Sequence, residues 1–280
     1  MSLLDDIVAS KWRELDALCA ILSEQVPGAA ETASALPRAS LETALARGPR
    51  DPLRLCCEHK RRSPSGGAFD TTLSVGARAA AYARAGAKLV SVLTDGPYFG
   101  GAWEDVTAAR DALAAVARES PCESPALVLA KEFVIDPVQV RAARRYGADA
   151  VLVIVRIVDD ISLASLVETA RAEGLSALVE VTSEDELERA LESGARTVGV
   201  NARDLDTLTL DPARAARVLA RIPSDVRAVH LSGLKAEADI VEVAEGRADA
   251  ALVGERLMRE RDPSALLTRF VQAASAARTR

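Results

Sequence analysis

The chain has 280 residues, of which 49% are hydrophobic but only 3% aromatic, and a formal net charge of −6. That length suits one α/β barrel, and a core of Ala, Val, Leu and Ile favours short strands and Ala-rich helices over an aromatic-packed sandwich. The acidic balance offers no general field for nucleic acid or an anionic membrane, so any bound anion must be met by cations gathered locally.

About the first 50 residues lie outside the pattern that follows, judged by where the strand–helix units begin. "LLDDIVASKWRELDAL" carries apolar residues at helical spacing and predicts a helix lying against the rest of the protein. "AETASALPRA" reads as a polar connector and "SLETALARG" as a second short helix. The N-terminus has acids early and no signal-type apolar core, and no stretch approaches the ~20 residues of a membrane span. A cytoplasmic protein without membrane or nucleic-acid partners is expected.

From Leu53 a unit repeats: an apolar run, a polar turn, an Ala/Arg/Glu-rich helical stretch and a Gly-containing break. Eight strand candidates follow: Leu53–Glu58, Leu89–Leu93, Ala126–Lys131, Ala150–Val155, Ser176–Val181, Thr197–Asn201, Arg227–Leu231 and Ala250–Val253. Several are continuously apolar, as strands buried on both faces are. Between them, Asp136-Pro137 and Asp211-Pro212 read as helix starts, and Ser183 with Glu186 as a capping box. The series predicts a (β/α)8 TIM barrel over 53–275 with a helical extension over 1–50, all one domain. A doubly wound sheet would call for a Gly-rich dinucleotide turn after its first strand, and "EHKRRSPSGG" is not one.

In such a barrel reactive groups stand at the C-terminal ends of the strands. Those ends carry Glu58 and Lys60, Lys131, Glu180, Asn201 and Arg203, Ser232 and Gly233, and Gly254. Glu58 and Lys60 are two apart and share a face, as do Asn201 and Arg203. Charges converging there are costly to bury unless paired or met by a charged ligand, so a carboxylate or phosphate substrate is expected. Each piece alone has a plainer reading, a solvated basic face for "EHKRR" or an ordinary turn for "LSGL". The plainer readings weaken together because the strand bodies stay apolar. The turns after strands seven and eight fall where barrels commonly bind phosphate. Ser63–Gly67 reads as a mobile loop able to fold over a substrate. Cys19, Cys56, Cys57 and Cys122 lack metal-ligand spacing. Cys56 and Cys57 point to opposite faces, and all four are expected to be small apolar residues in a reducing compartment.

The pieces "EHKRRSPSGG", "SVLTDGPYFGG", "LAKEFVIDPVQV", "LVEVTSEDELERAL", "GVNARDLDTL", "LSGL" and "LVGERLM" together resemble the indole-3-glycerol phosphate synthase family, in order from Leu53 to Met258. The resemblance implies ring closure of 1-(2-carboxyphenylamino)-1-deoxyribulose 5-phosphate with loss of CO2 and water, without metal or organic cofactor, in a monomer or weak homodimer. It implies that Lys131 protonates the substrate ketone and that Glu180 faces the developing iminium. Glu58 and Lys60 would move protons during decarboxylation and dehydration, Asn201 would hold hydroxyls, and Ser232 would complete the catalytic set. Arg203 would meet the carboxylate, Gly233 and Gly254 with Ser232 the phosphate, and Phe99, Phe133 and Leu205 the aromatic ring, with Ser63, Leu252 and Glu255 also on the substrate.

Two positions depart from the family pattern: Leu231 stands where a glutamate is usual and His59 where an aliphatic residue is usual. His59 should point away from the barrel mouth as a satisfied packing residue. Leu231 removes an acid near the site and supports an alternative, a diverged or non-catalytic barrel binding a phosphorylated anthranilate-type ligand. A phosphoribosylanthranilate isomerase would need a Cys base at the first strand end, where Glu58 and Lys60 stand instead.

Overall fold

A computed structural model describes residues 2–23, 39–119 and 125–277. Its eight long strands, all parallel, close into a barrel in which the first strand, Arg54–His59, pairs with both the second, Leu89–Leu93, and the eighth, Ala250–Val253. The other five are Leu127–Lys131, Ala150–Ile154, Ser176–Val181, Thr197–Asn201 and Arg227–Leu231. Each strand is followed by at least one helix, as the (β/α)8 reading requires. The first, third and fourth strands differ from expectation at their ends by one residue. The fourth stops early because Val155 opens a 3-10 turn, Val155–Ile157.

The strands divide the apolar residues into two sets. Cys57, Val90, Val128 and Val153 face the helices, while Cys56, Leu89, Leu129, Leu152, Leu178 and Val229 fill the barrel interior. Cys56 and Cys57 therefore do lie on opposite faces, and burial pushes the Cys56 thiol up to about 12. Cys122 lies outside the described residues. The interior is closed from one end by Leu41 and Leu45, in and after the short helix α2 (Leu41–Ala44), whose cap Ser40 accepts from the Thr43 amide. Leu4 and Ile7 of the long N-terminal helix α1 (Leu3–Ser23) join the same apolar set. Most of the connector "AETASALPRA" lies outside the described residues.

The helix starts at Asp136 and Asp211 form as read, with Asp136 accepting from Val138 N and Asp211 from Arg214 N, both at 2.8 Å. The box at Ser183 is only half made. Ser183 Oγ caps Glu186 N at 3.2 Å, but the Glu186 carboxylate turns instead to Thr182 N at 2.6 Å and to Arg156. Arg156 engages one carboxylate oxygen and Thr182 the other, so neither is left for the Ser183 amide.

The loop after the first strand has local structure of its own. It is folded as a small antiparallel hairpin, Arg62–Ser63 against Gly67–Ala68, with Gly66 N donating to Ser63 Oγ at 3.0 Å. Arg62 ties it to the carbonyls of Gly96 and Pro97, at 2.9 and 2.8 Å.

Candidate active site

The strands' C-terminal ends surround one cavity, and every candidate catalytic or substrate-binding residue from the sequence lines it: Glu58, Lys60, Ser63, Phe99, Lys131, Phe133, Glu180, Asn201, Arg203, Leu205, Ser232, Gly233, Leu252, Gly254 and Glu255. The inward set on the first strand is Cys56 and Glu58, with Lys60 following on the same side, so strand parity alone delivers the carboxylate and the ammonium together.

Two acid–cation pairs organise the walls. Lys60 Nζ donates to Glu58 Oε1 at 2.6 Å. Burial acts to raise the Glu58 carboxyl, but the ammoniums of Lys60 and Lys131 outweigh it and hold the group below the usual carboxylate range. Across the cavity, Lys131 Nζ stands 3.5 Å from Glu180 Oε2. The other oxygen of Glu180 accepts from Asn201 Nδ2 at 2.9 Å, and Asn201 Oδ1 accepts from Ser232 Oγ at 2.7 Å. Ser232 thus orients Asn201, which in turn orients Glu180.

Ser232 sits at φ 67°, a left-handed conformation that costs a non-glycine residue about 1 kcal/mol. Its neighbours hold it there. Its hydroxyl also accepts from Arg203 N at 3.1 Å, and buried His230 contacts its carbonyl through Nε2 at 3.0 Å. At the eighth strand's end a Cβ on Gly254 would crowd the Glu58 carboxylate, so a glycine here lets the main chain and that carboxylate approach closely.

The apolar wall is built from the Phe99 and Phe133 rings, 5.8 Å apart between centroids and tilted by 35°. Asp95 fixes the first by accepting from the Tyr98 and Phe99 amides, and Glu132 accepts from Phe133 N at 2.8 Å. Lys11 of α1 joins these two carboxylates, 2.7 Å from Asp95 and 3.1 Å from Glu132, and is only 1% exposed. The paired carboxylates hold the Lys11 ammonium well above its usual range despite the opposing effect of burial.

A sequence model of indole-3-glycerol phosphate synthase matches residues 4–270, nearly the whole chain. The chain belongs to the indole-3-glycerol phosphate synthase family. It is 40% identical over 267 residues to the indole-3-glycerol phosphate synthase of Opitutus terrae, covering 95% of this chain and 97% of that one. The corresponding protein of Kineococcus radiotolerans is 39% identical over 282 residues, covering 98% and 96%. Among solved structures, 3-hexulose-6-phosphate synthase from Salmonella typhimurium superposes with a TM-score of 0.61 over 80% of this chain and 100% of that one. At 15% identity that likeness speaks for the barrel alone.

The two departures from the family pattern behave differently. Leu231 lies on the cavity wall, 2% exposed, above Gly199, where an added Cβ would come within 2.6 Å of its Cδ1. His59 faces the helices as expected, but it is not satisfied: neither ring nitrogen has a hydrogen-bond partner among the described residues. It follows Glu58 on the first strand, and burial, with the Arg61 charge acting the same way, pulls its pKa down to about 4.

Sequence reasoning missed the part of the wall made by Leu3, Leu4 and Ile7 of α1, together with Leu152, Ile154 and Lys235. The inward parity of Leu152 and Ile154 was readable from their strand. Nothing in the sequence of α1 says which surface it covers.

Proposed function

We propose that the protein is a carboxy-lyase that closes the indole ring of indole-3-glycerol phosphate from 1-(2-carboxyphenylamino)-1-deoxyribulose 5-phosphate, a step of tryptophan biosynthesis. The observation that carries this reading is the meeting of Lys131, Glu180, Glu58 and Lys60 in one cavity that also presents two phenylalanine rings.

The anthranilate ring lies between Phe99, Phe133 and Leu205, and the phosphate meets the main chain at Ser232, Gly233 and Gly254. The ring carbon bearing the carboxylate attacks the C2′ ketone. As that carbon–carbon bond forms, Lys131 delivers a proton to the carbonyl oxygen, which becomes a hydroxyl, and the nitrogen takes on iminium character. Glu180, held by Asn201, stabilises that charge where it develops. Breaking the ring–carboxylate bond releases CO2 and returns its electron pair to the ring system. Loss of the C2′ hydroxyl as water, with a proton from C1′, completes the indole. Glu58 and Lys60 move the protons of this second half, and a carboxylate kept ionised by two ammoniums suits the accepting role. Arg203 and Lys60 meet the substrate carboxylate, Ser63 and Glu255 close over the sugar phosphate, and Leu252 packs beneath it.

Leu231 removes an acid from the wall without disturbing the Lys131–Glu180–Asn201–Ser232 chain, which supports catalysis without it. Incubating purified protein with the carboxyphenylamino-deoxyribulose phosphate should give a fluorescent indole product and one equivalent of CO2. A folded protein that binds this compound without product would instead support the non-catalytic reading.

A further inference from the structure

Arg78, on the helix α3 (Val75–Arg84) that follows the first strand, heads the fully buried side chains by size, with 0% exposure. A guanidinium in that setting is unfavourable unless its donors are satisfied, and an aliphatic side chain would fill the space without that cost. Arg78 lies 3.9 Å from the Asp70 carboxylate, and its Nε has no hydrogen-bond partner among the described residues. Simple charge pairing does not explain it.

Its remaining donors make a bridge. Nη1 donates to the carbonyls of Leu257 and Glu260, both at 3.2 Å, and Nη2 to the carbonyl of Asp70 at 3.4 Å. The first carbonyl lies in the last turn of the short helix Glu255–Met258, the second two residues beyond it, and the third belongs to the segment leaving the hairpin. Asp70 N reinforces the junction by donating to Met258 O at 3.2 Å. One turn along α3, the Tyr82 hydroxyl donates to the Glu58 carbonyl at 3.1 Å and touches Met258 Sδ at 3.7 Å. The inner face of α3 thus locks the end of the first strand, the hairpin exit and the chain after the eighth strand to one another. That chain begins at Gly254, whose main chain rests against the Glu58 carboxylate.

We propose that Arg78 is a positioning residue for the phosphate end of the substrate. It fixes the depth at which the main chain of Gly254 and Glu255 stands relative to Glu58 and the hairpin. This rests on the assignment of Gly254 to the phosphate made above. The planar fork of an arginine spans three carbonyls at set angles, which a lysine cannot do. Small displacements of binding groups are costly in well-fitted sites.

The test compares natural protein, Arg78→Lys and Arg78→Leu by thermal melting, by steady-state kinetics with the carboxyphenylamino-deoxyribulose phosphate, and by titration with inorganic phosphate. A folded Arg78→Lys protein should show KM raised about tenfold, inorganic phosphate bound about tenfold more weakly, and kcat within about twofold, the pattern of lost ground-state binding. Arg78→Leu should do at least as much. Unchanged KM and phosphate affinity in either folded variant overturn the proposal, as does a fall in kcat at constant KM. If the natural protein gives no indole product, the functional reading fails, while the phosphate titration still decides the role of Arg78. Should neither variant fold, hydrogen exchange on the natural protein decides. Saturating inorganic phosphate should slow exchange at the amides of Leu257–Glu260 together with those around Asp70, and protection that leaves both segments unchanged overturns the proposal.

Discussion

Lys131 Nζ lies 3.5 Å from Glu180 Oε2, close enough for ion pairing yet outside a good hydrogen bond, and that oxygen accepts no hydrogen bond among the described residues. A buried carboxylate oxygen left open beside an ammonium marks the place where a polar reacting group fits, because such atoms are otherwise satisfied. Asn201 restrains only the opposite oxygen, so the open one keeps its orientation.

Glu180→Gln keeps the shape and the Asn201 contact but removes the charge proposed to face the iminium. It should lower kcat by about 10²-fold or more with KM changed little, since the lost interaction exists mainly in the transition state. Steady-state kinetics on the two proteins checks this, and an equal change in KM alone would place Glu180 in binding.

The Glu58 carboxyl is held low by Lys60 and Lys131 against the pull of burial. Its protonation therefore falls below the usual carboxylate range, and the stability that the pairing supplies is present above about pH 4.3 and lost as pH falls through the lowered value. In Lys60→Met burial gains ground, so the acid limb of the kcat/KM profile should move up by about one pH unit. A pH–rate series on both proteins measures the shift, and an acid limb that stays in place would mean that Glu58 does not control it.

His59 is buried, its ring nitrogens have no hydrogen-bond partner among the described residues, and burial holds its pKa at about 4 against an ordinary 6.5. The unfolded chain binds a proton below about 6.5 that the folded protein refuses until about 4, so stability declines across that window by about 3 kcal/mol. His59→Leu should remove this decline and also stabilise at pH 7 by about 1 kcal/mol, through loss of unsatisfied polar atoms. Urea midpoints at pH 7 and pH 5 test it. Equal acid sensitivity in the variant would show that other groups carry the effect.

Lys11 joins α1 to Asp95 and Glu132, the residues that hold Phe99 and Phe133 in place. Lys11→Met leaves two buried carboxylates without their cation and should cost about 3 kcal/mol. In hydrogen exchange, the amides of Leu3–Ser23 should lose protection while the barrel strands keep theirs. Uniform protection in both would mean that Lys11 is not the attachment of the helix.

Much of this arrangement was legible in the sequence because buried parallel strands are continuous apolar runs, and a polar residue at the end of one stands out. Glu58, Lys131, Glu180 and Asn201 were found in that way, and alternation placed Cys56 and Cys57 on opposite faces. Helix positions were less informative. Lys11 and Arg78 look in the sequence like any cation on an amphipathic helix, and only tertiary packing buries them. The hairpin at Ser63–Gly67 was hidden for another reason: its order comes from Arg62 reaching the carbonyls of Gly96 and Pro97, a contact between segments far apart in the chain. The unsatisfied state of His59 depends likewise on what its neighbours fail to offer.

The most direct test of the account is the rate of indole formation by Lys131→Ala beside the natural protein, with folding of both verified by melting. Loss of the acid proposed to protonate the ketone should lower kcat/KM by about 10³-fold or more. A folded Lys131→Ala protein retaining activity within a few-fold of the natural one would contradict the assignment of Lys131 and the mechanism built on it.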